Sequence, residues 1–199
     1  MSIENQVRDF YNQNYKRFDS SRYSVWSEVK KFIDKIPENS IIIDAGCGNG
    51  KNMIYLQNKG FSVKGIDFSE NLLQVCKEKN LDVEEADIRS LPYEDNSFDY
   101  VISIAVIHHL STEKDRYNSI NEMLRVCKQG GKILISTWAI EQPNTSRFKF
   151  LLGDNYVKWE DTTRYYYIYG KETINNFLMP YNVESLVLDQ GNYFIIIAK

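Results

Sequence analysis

Three carboxylates and a glycine loop carry the clearest chemistry in this chain. The run Ile41-Ile42-Ile43-Asp44-Ala45-Gly46-Cys47-Gly48-Asn49-Gly50 joins a β-branched apolar stretch to a helical pattern. A short stretch of this kind reads as a buried strand. Gly46, Gly48 and Gly50 let the backbone turn sharply and approach a ligand closely. Asp44 sets a carboxylate where a cationic ligand group is welcome. Asp67 and Asp87 stand at the ends of two further apolar runs. The 2 histidines of the chain, His108 and His109, follow a fourth. Arg22, Arg147 and Arg164 lie in the segments that flank this core.

The elements that must position these groups alternate regularly. A helical region over about 4–17 precedes a second helix marked by Trp26, Val29, Phe32 and Ile33. Beyond the first strand, the pattern predicts a helix from Asn52 to Lys59 and a strand from Phe61 to Asp67. Ser69 then caps a helix that points Leu72, Leu73 and Cys76 inward. Short strands follow at Asp82–Ala86 and Phe98–Ala105, then a helix with Tyr117, Ile120, Leu124 and Cys127 on one stripe. Gln129-Gly130-Gly131 turns into a strand from Lys132 to Trp138. Residues 139–169 show no clear periodicity. A helix over Lys171–Leu178 leads to two strands, Val183–Leu188 and Tyr193–Ala198, joined by the hairpin signal Asp189-Gln190-Gly191-Asn192. Such alternation predicts an α/β fold of the Rossmann-like kind: a seven-stranded, mostly parallel sheet, a C-terminal antiparallel hairpin, and helices on both faces. The expected organisation is one domain over 1–199. It divides into a helical cap (1–39), a ligand-binding core (40–138) and an acceptor-side loop with the terminal hairpin (139–199).

Ligands of open α/β sheets bind beyond the carboxyl ends of the strands, at the topological switch point. Asp44, Asp67 and Asp87 therefore border one crevice. A carboxylate after the second strand suits a ribose diol, accepting from both hydroxyls. Asp87 can accept from an exocyclic amine such as that of adenine. The competing readings are a turn residue ahead of the cap Ser69 for Asp67 and a solvated turn carboxylate for Asp87. A nicotinamide cofactor fits poorly, because its Gly-x-Gly-x-x-Gly fingerprint requires glycine where this chain has Lys51. S-adenosylmethionine fits better. It has no phosphate, and its cationic amino and sulfonium groups are compatible with Asp44.

Composition narrows the classes. The chain has 199 residues, enough for one full-sized core, and a formal net charge of −3. That charge argues against non-specific nucleic-acid binding through a global field, although basic residues outnumber acids over the first 35 positions. No apolar run approaches the ~20 residues that cross a bilayer, and the N-terminus lacks signal-peptide features, so no membrane association is expected. Cys47, Cys76 and Cys127 are scattered, without a Cys-x-x-Cys pair. A disulfide framework or a bound metal is not expected, and a reducing compartment, the cytoplasm, is.

Asp44-Ala-Gly-Cys-Gly-Asn-Gly50, Gly65-Ile-Asp67, Ala86-Asp87-Ile88 and Leu91-Pro92…Ser97-Phe98-Asp99-Tyr-Val-Ile-Ser103 together resemble a class I S-adenosylmethionine-dependent methyltransferase. That resemblance implies that Asp67 holds the ribose and that Asp87 with Ile88 holds adenine. It also implies that Asp44, Gly46, Gly48 and Gly50 hold the methionine end, aided by the backbone of Ala105. A narrower resemblance spans nearly the whole chain. It rests on Phe18-Asp-Ser-Ser-Arg22-Tyr23, Ile104-Ala-Val-Ile-His108-His109, Thr137-Trp138-Ala139, Tyr156-Val-Lys-Trp159, Arg164-Tyr165-Tyr166 and Gly191-Asn192-Tyr193-Phe194. This set is similar to the eukaryotic tRNA methyltransferases that esterify 5-carboxymethyluridine at the wobble position. It implies a tRNA anticodon loop as substrate, S-adenosylhomocysteine as product, and a small zinc-binding activator subunit as partner. The segments around 143–155 and after Tyr169 are short for that family.

The residues suit the implied reaction. A carboxylate acceptor is already ionised near neutral pH, so no general base is required. The protein must orient one oxygen toward the methyl group. Arginine does this with a rigid fork that leaves the charge in place; Arg22 and Arg164 are the expected pair. His109, ahead of His108, is the expected hydrogen-bonding partner of the uracil ring or carboxylate; the alternative is packing or capping. Trp138 can stack on a flipped-out base, or serve as a core residue. A small-molecule methyltransferase and a non-catalytic binding or scaffold protein on the same fold are the competing functions.

Overall fold

The computed structural model describes residues 1–146, 148–159 and 162–199. Its main sheet has seven strands: β1 (Ile41–Ala45), β2 (Ser62–Asp67), β3 (Val83–Glu85), β4 (Phe98–Ile104), β5 (Cys127–Trp138), β8 (Val183–Asp189) and β9 (Asn192–Ala198). β6 (Gly153–Trp159) and β7 (Thr162–Ile168) form a separate two-stranded sheet. The main order is β3-β2-β1-β4-β5-β9-β8, parallel through β5 and antiparallel for β9 and β8. β1 thus sits between β2 and β4, and the switch point falls where the glycine loop begins.

Alternate strand residues feed two apolar layers. Ile43, Val101, Ile133 and Ile135 pack with Ile120 and Met123 of α5 (Glu113–Val126) and with Ile174 and Phe177 of α6 (Lys171–Leu178). Ile42, Ile102 and Leu134 face the other side. There they meet Phe32 of α2 (Ser27–Ile33), Leu56 of α3 (Lys51–Asn58) and Leu73 of α4 (Glu70–Glu78). Each fully buried side chain of this size contributes about 1.5–3 kcal/mol, so the alternating pattern specifies both faces of the sheet.

α1 (Ile3–Ser21) differs: only Val7 and Phe10 are buried along its 19 residues. Polar contacts pin it across the carboxyl ends of the strands. Asn12 Oδ1 accepts from Ser69 Oγ at 2.7 Å, Glu4 accepts from Ser111 Oγ at 2.6 Å, and Asp19 pairs with Lys79 at 2.6 Å.

Three expectations change. The helix over about 4–17 extends to Ser21, with the Arg22 N–H bonding the Asp19 carbonyl to close its end. The Gln129–Gly131 turn is a bulge inside β5: Phe98 faces Cys127 and Tyr100 faces Lys132, with Gly130 at φ +79° in between. The segment 139–169 is not irregular, since it carries the β6–β7 ribbon. Arg164, Tyr165 and Tyr166 are all buried on β7, so both faces are covered and the period-two signal vanishes. The terminal hairpin forms as expected, with Gln190 and Gly191 both at positive φ.

Candidate active site

A cavity of about 390 Å³ opens at the switch point, walled by the glycine loop, the ends of β2 and β4, α1 and β7. Gly46 and Gly48 border it. Gly46 holds φ +90°, and a Cβ there would lie 2.3 Å from Val106 Cγ2, so no side chain fits. Gly50 stands behind the loop: it precedes α3 at φ +76°, and its Cβ would strike Leu81 Cδ1 at 2.2 Å. Its place is therefore a packing and turn position, off the cavity wall.

Asp67 is almost wholly buried beside the cavity. Its Oδ1 accepts from the Ser69 N–H at 2.9 Å and its Oδ2 from the Gly48 N–H at 2.8 Å. Burial raises its pKa, against the pull of these backbone donors. Each oxygen keeps a lone pair, as a ribose diol requires. Asp87 borders the cavity but is already gripped by Arg89, through Nη2 at 2.6 Å and Nε at 3.0 Å. Its pKa is lowered; burial opposes the Arg89 bonds and loses to them. Ile88 is buried against the same wall. Ala105 takes φ +62°, unusual for a residue with a side chain. Two bonds from its N–H, to the Ser136 carbonyl at 3.2 Å and Ser136 Oγ at 2.9 Å, hold it there.

Asp44 lies beneath the loop, one layer behind the wall, with no exposure. Among the described residues neither of its oxygens has a hydrogen-bond partner, and Asn52 Oδ1 beside it has none either. Burial, reinforced by Asp67, pushes its pKa up to about 7, while Asn52 and Lys51 act the other way. Orphaned buried acceptors next to a glycine cradle fit a cationic amino group. This donor-poor, acid-rich corner, with Asp67 and Asp87 ahead of it, fits S-adenosylmethionine.

The opposite wall is cationic and aromatic. Arg164 is 4% exposed, and its guanidinium sits 4.5 Å from the Phe10 ring centroid and 4.8 Å from that of Trp159. Its Nη1–H donates to Tyr11 Oη at 3.1 Å; among the described residues its Nε–H has no partner and no carboxylate pairs with it. Arg22 is half-buried at the end of α1, over Phe18, and pairs with no carboxylate either among the described residues. Arg147 lies outside the described residues.

The two histidines exchange places relative to expectation. His109 has both nitrogens engaged: Nδ1 with the Tyr165 carbonyl at 2.8 Å and Nε2 with Tyr11 Oη at 2.9 Å. Burial, then the charge of Arg164, pushes its pKa down to about 3. It therefore offers the cavity no free atom. His108 accepts the Trp138 N–H on Nδ1 at 3.2 Å. Burial, with His109 and Arg164, holds its pKa well below the ordinary value, so the neutral ring carries its proton on Nε2. Trp138 borders the cavity, but Tyr166 stacks on it at 4.3 Å and 12° between planes, so that face is closed to a base. The fold also recruits Tyr11, which the sequence marks only by spacing: Glu4, Tyr11 and Phe18 recur every seven residues and all three border the cavity.

This fold and this crevice define a class I, S-adenosylmethionine-dependent methyltransferase. The methyltransferase domain family matches residues 43–135. The tRNA (carboxymethyluridine(34)-5-O)-methyltransferase of Schizosaccharomyces pombe is 36% identical over 175 residues, 84% of this chain and 73% of that one. The Arabidopsis thaliana protein of the same name is 44% identical over 140 residues, 70% of this chain, and this match spans 34% of the relative's length. A putative methyltransferase solved in complex with the Haloferax volcanii Trm112 methyltransferase activator superposes with a TM-score of 0.72. It is 15% identical, with 99% of this chain and 97% of that chain covered. The chain belongs to the tRNA (carboxymethyluridine) methyltransferase family. No helix among the described residues is long and apolar enough to cross a membrane.

Proposed function

We propose that this chain transfers the methyl group of S-adenosylmethionine to the carboxylate of 5-carboxymethyluridine at the wobble position of a tRNA anticodon loop. The product is 5-methoxycarbonylmethyluridine. The observation that carries the reading is Arg164: a buried guanidinium at the cavity wall, without a carboxylate partner among the described residues. A buried charge needs a counter-charge, and a carboxylate acceptor supplies one. The named relatives agree with that acceptor.

When bound, the cofactor supplies a sulfonium methyl group. Asp44, beneath the glycine loop, supplies a counter-charge to its amino group from behind the wall; Asp67 faces its ribose and Asp87 with Ile88 its adenine, while Gly46 and Gly48 leave room for its backbone-side contacts and Ala105 lies along its methionine end. Arg164 and Arg22 hold the acceptor carboxylate without removing its charge. His108 Nε2–H offers a neutral donor beside it. Trp138 shapes the acceptor wall through its stack with Tyr166. We take residues 1–199 as one functional domain, since α1 and β7 both wall the cavity. A zinc-binding activator subunit and a cytoplasmic location belong to the same proposal; the solved activator complex supports the first and three free cysteines the second.

The test is transfer from labelled S-adenosylmethionine to tRNA lacking the ester, with and without a zinc-binding activator, read by nucleoside mass spectrometry. The methoxycarbonyl nucleoside is expected, and Arg164→Lys is expected to lower kcat/KM at least tenfold with cofactor affinity kept. Intact cofactor binding without ester on any tRNA would move the assignment to a small carboxylic acid. Absence of cofactor binding, even with the activator, would point to a scaffold.

A further inference from the structure

A guanidinium that aims one carboxylate oxygen must itself be fixed in rotation. The rings around Arg164 confine it but impose no direction. Among the described residues its one hydrogen bond runs from Nη1–H to Tyr11 Oη, at 3.1 Å.

The Tyr11 proton has only one place to go. His109 Nδ1 lies 2.8 Å from the Tyr165 carbonyl, which can only accept, so Nδ1 carries the hydrogen. The ring is neutral, and Nε2 is therefore a lone pair. Tyr11 Oη, 2.9 Å away, donates to it. That leaves the Tyr11 oxygen free to accept from Arg164. The chain runs Arg164 Nη1–H to Tyr11 Oη–H to His109 Nε2, and His109 Nδ1–H to the Tyr165 carbonyl. It closes on the residue next to Arg164 on β7. Three separate elements, α1, the turn after β4 and β7, are joined in one circuit with every proton assigned.

We propose that Tyr11, oriented by His109, is a positioning residue that fixes the Arg164 guanidinium for the acceptor carboxylate. This rests on the reading of Arg164 given above. Tyr11 acts by stopping the guanidinium from turning about its own axis, and a misplacement of about 1 Å at such a group costs on the order of 100-fold in rate.

The test combines Tyr11→Phe, His109→Leu, His109→Gln and the double variant Tyr11→Phe/His109→Leu in the full chain. Tyr11→Phe keeps S-adenosylhomocysteine affinity within twofold by calorimetry and loses at least tenfold in kcat/KM toward tRNA, mostly in kcat. His109→Leu does the same, and the double variant is no worse than either, since all three break one circuit. His109→Gln, whose carboxamide can accept from Tyr11 and donate to the Tyr165 carbonyl, recovers most of the loss. Unchanged transfer in Tyr11→Phe, or losses that multiply in the double variant, would overturn the proposal. Long-range proton–nitrogen NMR of the wild-type protein tests the circuit without any acceptor: His109 is expected neutral with its hydrogen on Nδ1 at pH 7. A hydrogen on Nε2 would overturn the proposal whatever the substrate. Failure of the wild-type protein to esterify any tRNA, with the Nδ1–H signal present, would count against the acceptor reading instead.

Discussion

On the proposed role of Asp44, cofactor binding is expected to depend on pH in a calculable way. The Asp44 carboxyl is fully buried, both oxygens lack partners among the described residues, and its pKa rises from 3.8 to about 7. At about 1.4 kcal/mol per pKa unit, the roughly three-unit rise places about 4 kcal/mol against the ionised form in the free protein. The folded state therefore keeps a proton that the unfolded chain releases near pH 4. This contribution to stability is fully present below about pH 4 and is lost as pH climbs toward 7; Asp67, raised in the same direction, adds to it. A cationic amino group needs the ionised form. At pH 6 only about one molecule in eleven is competent, so the apparent affinity is about tenfold weaker than at pH 8. Calorimetry with S-adenosylhomocysteine, in two buffers of different ionisation enthalpy, should show close to one proton released per ligand at pH 6 and few at pH 8. Asp44→Asn should abolish that release, weaken binding at pH 8, and stabilise the free protein there by up to about 4 kcal/mol. A flat affinity profile between pH 6 and 8, or an Asp44→Asn variant that binds within twofold of wild type, would refute the assignment of Asp44 to the amino group.

Gly50→Ala should destabilise the protein by about 2–4 kcal/mol, combining left-handed backbone strain with overpacking against Leu81 and Cys76. A thermal melt lowered by about 5–15 °C is expected. Asp67→Asn puts an NH₂ group against either the Gly48 or the Ser69 N–H, costing about 1–3 kcal/mol and weakening cofactor binding at least tenfold by calorimetry. Arg89→Met frees the Asp87 carboxylate from its fork and should weaken the adenosine end selectively. The readout is a greater loss of affinity for adenosine than for methionine in competition experiments. Arg22→Ala should reduce ester formation on tRNA while calorimetric cofactor affinity changes less than transfer does.

The parallel core was legible because its causes are local. β-Branched runs ending in Asp44, Asp67 and Ala105, helix caps such as Ser69, and the Gly191 hairpin each express propensity or steric demand within a few residues. The cofactor crevice follows from them, since strand ends at a switch point must converge. The acceptor wall was written differently. β7 is buried on both faces, so it carries no alternation; β6 alternates in exposure, but polar Asn155 on its inner face and Tyr156 on its outer face hide that pattern in the sequence.

What the sequence by itself determined is the order of strands and helices and the three acids beneath one crevice, because those depend on short-range pattern and on backbone geometry. Only the tertiary structure decided which polar atoms remain free. It engaged both nitrogens of His109, closed one face of Trp138, set Gly50 behind the loop, and drew Tyr11 from a helix more than 90 residues distant in the chain to bond His109. Hydrogen-bond partners are settled by contacts between distant segments, and a sequence lists donors and acceptors without saying which of them meet.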